Sequence, residues 1–311
     1  MSRYTIAFYN LENLFDTVND PEKMDEDFTP QSDRKWNEDR LAAKVRKLGS
    51  VIARIGEQDN PNYPTLVGVA EVENEFVMQR LVDSPHLKEL GYSFAHFNSP
   101  DERGVDTALI YRSSFFKVLT SEAIFVPIVT PKGHPDLTRD ILHVTGELEG
   151  QRVHVLVNHW PSRRAGEDET AYRRMEAAKK NRTVIAAIKS TEPAARIIVM
   201  GDFNDDPHSA SIAHLMDTDF YNPMQLLLTP DEGSATYRGQ WNLFDQILVS
   251  NDFIKPYDNP FSFEKAAIFN EKSIIINKGK YKGNPFRTYA GDKYLGGVSD
   301  HFPVYAIFKI V

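Results

Sequence analysis

The stretch that most constrains the fold is Ile197-Ile198-Val199-Met200-Gly201-Asp202-Phe203-Asn204-Asp205. An apolar run meets a glycine, and a carboxylate, an aromatic ring and a carboxamide follow. The run reads as a buried strand, and the glycine lets the backbone turn where the strand ends. While the chain stays extended, Asp202 and Asn204 lie two apart and point to the same side. One offers an anionic oxygen, the other an amide that can donate and accept. That pair suits a divalent metal carrying a phosphate. The same residues also serve as an ordinary turn, so the rest of the chain must decide.

The pattern recurs. Thr5–Tyr9 alternates like a strand and is followed by Asn10-Leu11-Glu12-Asn13. Thr65–Ala70 is a second apolar strand running into Glu71. Leu142–Leu148 and Arg152–Val157 read as a hairpin around Glu149-Gly150, and its second arm delivers Asn158-His159-Trp160-Pro161-Ser162. Asp245 opens the strand ending at Val249, Asp106 opens the strand ending at Arg112, and Ser299-Asp300-His301 precedes Phe302–Phe308. Strands lying side by side put their ends on a common rim, where residues distant in sequence can meet. Each residue alone also has an ordinary role. Asn10 suits a turn, Glu71 a helix N-terminus, Asp245 a buried structural acid, and either histidine a hydrogen-bonded core position.

Between the strands, Leu41, Val45, Leu48, Ile52 and Ile55 recur at helical spacing over 37–55. A second helix is expected up to about Leu90. A third is expected up to about Ile188, with Ala171, Met175, Ala178, Ile185 and Ile188 on one face. Residues 16–33 read as an acidic surface loop, 217–240 as irregular and 255–297 as loop-rich. No linker or repeat interrupts the 311 residues, which are expected to form a single domain, 1–311, of mixed α/β class.

Composition narrows the function. There is no cysteine, which excludes disulfides, thiolate metal sites and a cysteine nucleophile. The net charge of −8 argues against a broad basic face that coats nucleic acid, though not against a local basic cleft. No apolar run approaches the ~20 residues needed to span a bilayer, so no membrane insertion is expected. Arg3 and Tyr4 lead directly into the first strand with no visible signal peptide, which favours a cytoplasmic location. Oligomeric state is not legible.

The ordered set Asn10, Glu71, Asn158-His159, Gly201-Asp202-Phe203-Asn204, Asp245 and Ser299-Asp300-His301 resembles the endonuclease/exonuclease/phosphatase superfamily. The resemblance spans nearly the whole chain. It implies a four-layered α/β sandwich, two mixed sheets packed face to face with helices outside, and hydrolysis of a phosphoester substrate, DNA or RNA among the candidates. It further implies that Glu71, with Asn10 beside it and Asp300 near it, holds Mg2+ or Mn2+. Asp202 matches the acid that orients or deprotonates the attacking water, and Asn204 the amide that holds a phosphoryl oxygen. His159 and His301 match imidazoles that donate to the phosphate, and Asp245 the acid that orients a histidine.

Some assignments stay open at this level. Glu12 falls where some members place a second acid. Asp106 is a further candidate partner for a histidine. Arg139 falls near a phosphate-contacting arginine of nuclease members, or forms a surface salt bridge. Arg163 and Arg164 could grip phosphates beside the cleft, while Trp160 stacks or packs. A nuclease-like phosphodiesterase is the leading reading. The runner-up is a phosphatase or phospholipid-headgroup esterase on a smaller or inositol-type substrate, and a catalytically inactive binding scaffold is the reading from another class.

Overall fold

The computed structural model describes residues 2–237, 239–254 and 259–311. Residues 238 and 255–258, which fall in the stretches read as irregular or loop-rich, lie outside the described residues.

The first sheet is built from β1 (Ser2–Leu14), β2 (Leu66–Val72), β3 (Tyr92–His96) and β4 (Asp106–Arg112). The second takes β5 (Phe116–Ile124), β6 (Ile141–Leu148), β7 (Gln151–His159), β8 (Ile197–Asp202), β9 (Phe220–Tyr221) and β10 (Asp245–Ser250). The chain then returns to the first sheet with β11 (Phe261–Ile268) and β12 (Val304–Ile310). The strand orders are β11-β12-β1-β2-β4-β3 and β9-β10-β8-β7-β6-β5.

Each sheet has one parallel pair at its centre, β1 with β2 and β7 with β8. A parallel pair needs a crossover, and here the crossovers carry the helices α1 (Glu38–Ile52) and α3 (Glu167–Thr191). The shorter α2 (Glu75–Val82) and α4 (Ala210–Met216) accompany them. Leu41, Leu48 and Ile52 of α1 pack on the outer face of the first sheet, and Ala178, Ile185 and Ile188 of α3 on that of the second. Between the sheets Ile6, Phe8, Val155, Ile198 and Met200 form the central core. At Gly68 the sheets approach so closely that a Cβ would lie 2.5 Å from Sδ of Met200. The two parallel pairs face one another across this core, so the carboxyl ends of four strands emerge together. This is the expected sandwich of two mixed sheets with helices outside.

Several local expectations are corrected. The second helix stops at Val82 because Ser84-Pro85 follows, and a residue before proline is driven out of the helical region. The third helix buries Arg174 and Asn181 alongside Ala177, Ala178, Ile185 and Ile188, whereas Ala171 is exposed. Its inward face is partly polar because those groups have partners, Arg174 Nε on Asp205 at 2.8 Å and Asn181 Nδ2 on Asn158 Oδ1 at 2.7 Å. Apolar periodicity cannot register such a face. β3 and β11 were hidden by their mixed composition. Both are edge strands, and β11 carries Glu264 and Lys265 on a register shift, as edges that resist pairing with other chains often do.

Candidate active site

Gly201 lies inside β8 with an ordinary extended backbone, not at a left-handed turn. It is glycine because a Cβ there would sit 2.4 Å from the carbonyl oxygen of Asn158 on the neighbouring strand. The left-handed residue is Asn204, with φ 48°. Its backbone N–H donates to Oδ1 of Asp202 at 3.0 Å, and its Nδ2 donates to the carbonyl of Trp160 at 3.0 Å. Asp202 is thus fixed by the turn that follows it.

On the first sheet the polar residues interrupt the strands instead of following them. Asn10 lies within β1, and Glu71 within β2. The β1/β2 register slips between Asn10 and Leu14, and β2/β4 slips between Ala70 and Val72. Glu12, Asn13 and Glu71 occupy these bulges with φ of 50°, 54° and 61°. A left-handed residue other than glycine costs about 1–2 kcal/mol, and such strain gathers where surrounding structure overrides it, at binding and catalytic sites above all. The bulge turns Glu71 so that its Oε2 accepts from the N–H of Asn13 at 2.8 Å.

These elements converge on one oxygen. Asp202 Oδ2 accepts from Asn10 Nδ2 at 3.0 Å and lies 3.8 Å from Nε2 of His159 and 3.9 Å from Nε2 of His301. Glu71 Oε1 lies 3.9 Å from His159 Nε2 and 3.6 Å from Arg103. His301 Nδ1 is 2.6 Å from Oδ2 of the fully buried Asp245. Behind them, the Ser299 hydroxyl donates to the Asn10 carbonyl, and the Thr288 N–H to Glu12 Oε2 at 2.6 Å. Buried Lys44 reaches the Glu12 carbonyl and the Thr288 hydroxyl. Asp300 is 2.6 Å from Arg287, which also lies 3.5 Å from Glu12.

The charge states follow. Burial would lower His301, but Asp245 and Asp202 raise it well above the ordinary histidine value. His159 is driven well below that value by burial and then by Arg139 and Arg103. Burial lifts Asp202 to about 6. Burial alone would also raise Glu71, but Arg103, Arg139 and His301 hold it below the ordinary glutamate range. Glu12 is pushed to about 7 by burial and by Asp300.

Asn10, Glu71, His159, Asp202, Asn204, Asp245 and His301 therefore form one connected cluster, with Glu12 and Asp300 at its margin. Other candidates sit differently. Asp106 is 3.0 Å from His96 and accepts from the Ser99 N–H, so its histidine is neither His159 nor His301. Arg139 is buried against Asp101 at 3.3 Å, so that pair is not a surface one. Arg163 donates to the Asn204 carbonyl and pairs with Asp205, Asp206 and Glu167, and Arg164 is exposed. Trp160 is buried edge-on against Phe203 and donates to Asn158. Sequence reasoning missed Arg103, Asp101, His96 and Lys44. None follows an apolar strand, and only the glycine after Arg103, left-handed at φ 69°, marks that turn as special.

A metal fits this donor set. Glu71 is a partly buried carboxylate held ionised among cationic neighbours, and hard oxygen donors of this kind suit Mg2+. Asp202, Asp245 and His301 also offer one ligand atom each within 4.8 Å of one another, the one such group among the described residues, and this buried group could hold an ion. No helix among the described residues is long and apolar enough to cross a membrane.

Comparison with known proteins agrees with this fold. No curated protein matches the sequence. Among solved structures, Danio rerio TDP2 complexed with a single-strand DNA product shares 20% identity and a TM-score of 0.61, over 99% of this chain and 100% of that one. An endonuclease/exonuclease/phosphatase from Bacteroides vulgatus shares 15% identity and a TM-score of 0.58 over 100% of both chains. A mannosyl-6-phosphatase of Bacteroides thetaiotaomicron shares 15% identity and a TM-score of 0.55, over 97% and 98%. At these identities the likeness shows the fold alone. The model of the endonuclease/exonuclease/phosphatase family matches residues 5–309. With its site residues gathered at one rim of a DNase-like sandwich, the chain is a phosphoesterase-type protein that belongs to the endonuclease/exonuclease/phosphatase family.

Proposed function

We propose that the protein is a divalent-metal-dependent phosphodiesterase, nuclease-like, that hydrolyses its substrate by in-line attack of water. The observation that carries this reading is the convergence of Asn10, His159 and His301 on a single carboxylate oxygen of Asp202. Glu71, with Asn10 and Asp300, would hold Mg2+ or Mn2+, and the bound ion supplies Lewis-acid polarisation of a phosphoryl oxygen.

The chain's own residues do the rest. Asp202, held near 6 by burial, is ionised at neutral pH yet basic enough to align a water and take its proton. His301, kept cationic by Asp245, donates from Nε2 to a phosphoryl oxygen and offsets the charge that builds in the transition state. The Asn204 amide has a second N–H, beyond the one used on Trp160, for another phosphoryl oxygen. His159 donates a neutral hydrogen bond from Nε2. No covalent intermediate is required.

A phosphatase acting on a smaller substrate is the second reading. It is favoured by Arg163, whose contacts with Asp205, Asp206 and Glu167 take it away from any polynucleotide backbone. It is also favoured by the sugar-phosphate activity named for one structural relative. The deciding experiment offers single-stranded, duplex and abasic DNA, RNA, sugar phosphates, inositol phosphates and sphingomyelin, each with Mg2+ and with chelator. Salt-sensitive DNA cleavage that disappears with chelator and in Asp202→Asn is expected. Phosphate release from the small phosphomonoesters with no cleavage of any diester would replace the first reading by the second. No turnover and no Mg2+ binding would leave only a binding scaffold.

A further inference from the structure

The Nδ1 of His301 is hydrogen-bonded to an acid, and that of His159 is not. Asp106, the remaining acid at a strand end, is occupied by His96. The far nitrogen of His159, Nδ1, is buried and makes no hydrogen bond with another protein group. His159 lines a cavity of about 10 Å³ that also touches Thr138, Arg139 and Asp140, with Val126 and Ile141 on its apolar wall. The same condition holds for other buried atoms on that lining: Thr138 Oγ1, Arg139 Nη2 and Asp140 Oδ1. Buried polar atoms are rarely left without partners, and several around one cavity just large enough for a single water describe a water site.

The near nitrogen fixes the sense of the arrangement. Nε2 of His159 faces two carboxylates, Glu71 at 3.9 Å and Asp202 at 3.8 Å. A bare lone pair there would meet two negative oxygens, whereas an N–H is attracted by both. In a neutral imidazole with its proton on Nε2, Nδ1 is an acceptor and needs a donor. A carboxylate cannot supply one. Arg139, whose Nε faces Asp101 at 3.3 Å and whose Nη2 keeps unused N–H groups, can do so through one water, and the Thr138 hydroxyl can assist. We propose that Arg139 is the positioning residue of His159: across the cavity it supplies the hydrogen bond to Nδ1 and so holds His159 as the tautomer that carries its proton on Nε2, aimed at the phosphate. Orientation of this histidine is therefore delegated to a cation, the reverse of the acid that orients His301.

The inference rests on His159 as a donor to substrate, but its test does not depend on turnover. Nitrogen-15 histidine spectra of the Mg2+-loaded full chain at pH 7.5 are expected to show Nε2 protonated and Nδ1 as an acceptor for His159. A proton on Nδ1 overturns the proposal, whatever the enzyme hydrolyses. Arg139→Met is expected to convert His159 to a mixture of tautomers and to lower kcat on bis(p-nitrophenyl) phosphate by about a hundredfold with little change in KM. Unchanged tautomers in that variant would overturn the proposal and leave Arg139 a structural partner of Asp101. Asp140→Asn is expected to leave the His159 spectrum as it was, and a reversed tautomer there would make Asp140 the orienting residue instead. If Arg139→Met fails to fold, the spectra of the unsubstituted protein and of Asp140→Asn still decide.

Discussion

His301 and His159 turn Nε2 toward the same oxygen of Asp202, at 3.9 and 3.8 Å, yet their settings are opposite. His301 lies at the head of β12 and leans on Asp245 across the sheets at 2.6 Å, with Asp202 and Asp300 adding to the pull that keeps it cationic. His159 ends β7 with no acid hydrogen-bonded to its Nδ1, and burial with Arg139 and Arg103 keeps it neutral. One site thus contains a charged donor and an uncharged one. In the proposed mechanism the charged donor would offset developing charge, and the neutral one would add a directed hydrogen bond without repelling a nearby metal ion.

The strongest way to break this picture is to remove the oxygen both rings face. Asp202→Asn is expected to cut kcat on bis(p-nitrophenyl) phosphate by about 10³-fold or more while leaving the circular dichroism unchanged. A rate within tenfold of the unsubstituted enzyme would remove Asp202 from its assigned role. Next, Asp245→Asn is set against Asp106→Asn. Losing the acid behind His301 is expected to cost about 10²-fold in kcat and to weaken the rate most on the alkaline side, where the ring no longer retains its proton. Asp106→Asn is expected to stay within a few fold because its partner is His96. Equal losses in the two variants would dissolve the distinction between the acids. A smaller effect is expected from Glu71→Gln, which should raise the Mg2+ concentration for half-maximal rate by about 10–100-fold, readable also by calorimetric titration. An unaltered Mg2+ requirement would move the ion to the Asp202, Asp245 and His301 group.

The mildest effect is on stability. Burial raises Glu12 to about 7 and Glu73 to about 8, and His301 is raised by its acids against its own burial. A group whose folded value is raised stabilises the fold while protonated, and that contribution fades as pH rises through the folded value. His159 is lowered, so its contribution is complete by pH 7.5 and does not change above it. The melting temperature in chelator should therefore drop by a few degrees between pH 7 and pH 9. A rise over that window in differential scanning fluorimetry would contradict these charge states.

Much of this was legible in the sequence, and what was not has a physical cause. Glu71, Asp202 and His301 stand out because each adjoins an apolar strand, and strands that must be buried are the clearest signal a chain carries. Asp245 was visible for the same reason, but its pairing with His301 was not, because their side chains come from different sheets and sequence spacing says nothing about contacts across a core. Arg103 and Asp101 lie in a turn between β3 and β4 whose polar composition resembles any surface loop. The bulges at Glu12 and Glu71 were hidden because nothing in Asn10-Leu11-Glu12-Asn13 requires a left-handed backbone. Arg174 and Asn181 were not read as part of the buried helix face because a satisfied buried polar group counts as hydrophilic in any periodicity.

The pairing of β1 with β12 runs from Ser2 opposite Ile310 to Phe8 opposite Val304. The earliest and latest strands described are thus zipped together, and the loop that places Asp300 and His301 hangs from that seam. A polypeptide still emerging from the ribosome can assemble the β7–α3–β8 unit and its half of the pocket, but β1 keeps an open flank until the residues through Ile310 have been released. The pocket is therefore completed only when β12 docks, and a product truncated before Val304 should be inert as well as prone to borrow a strand from a neighbour.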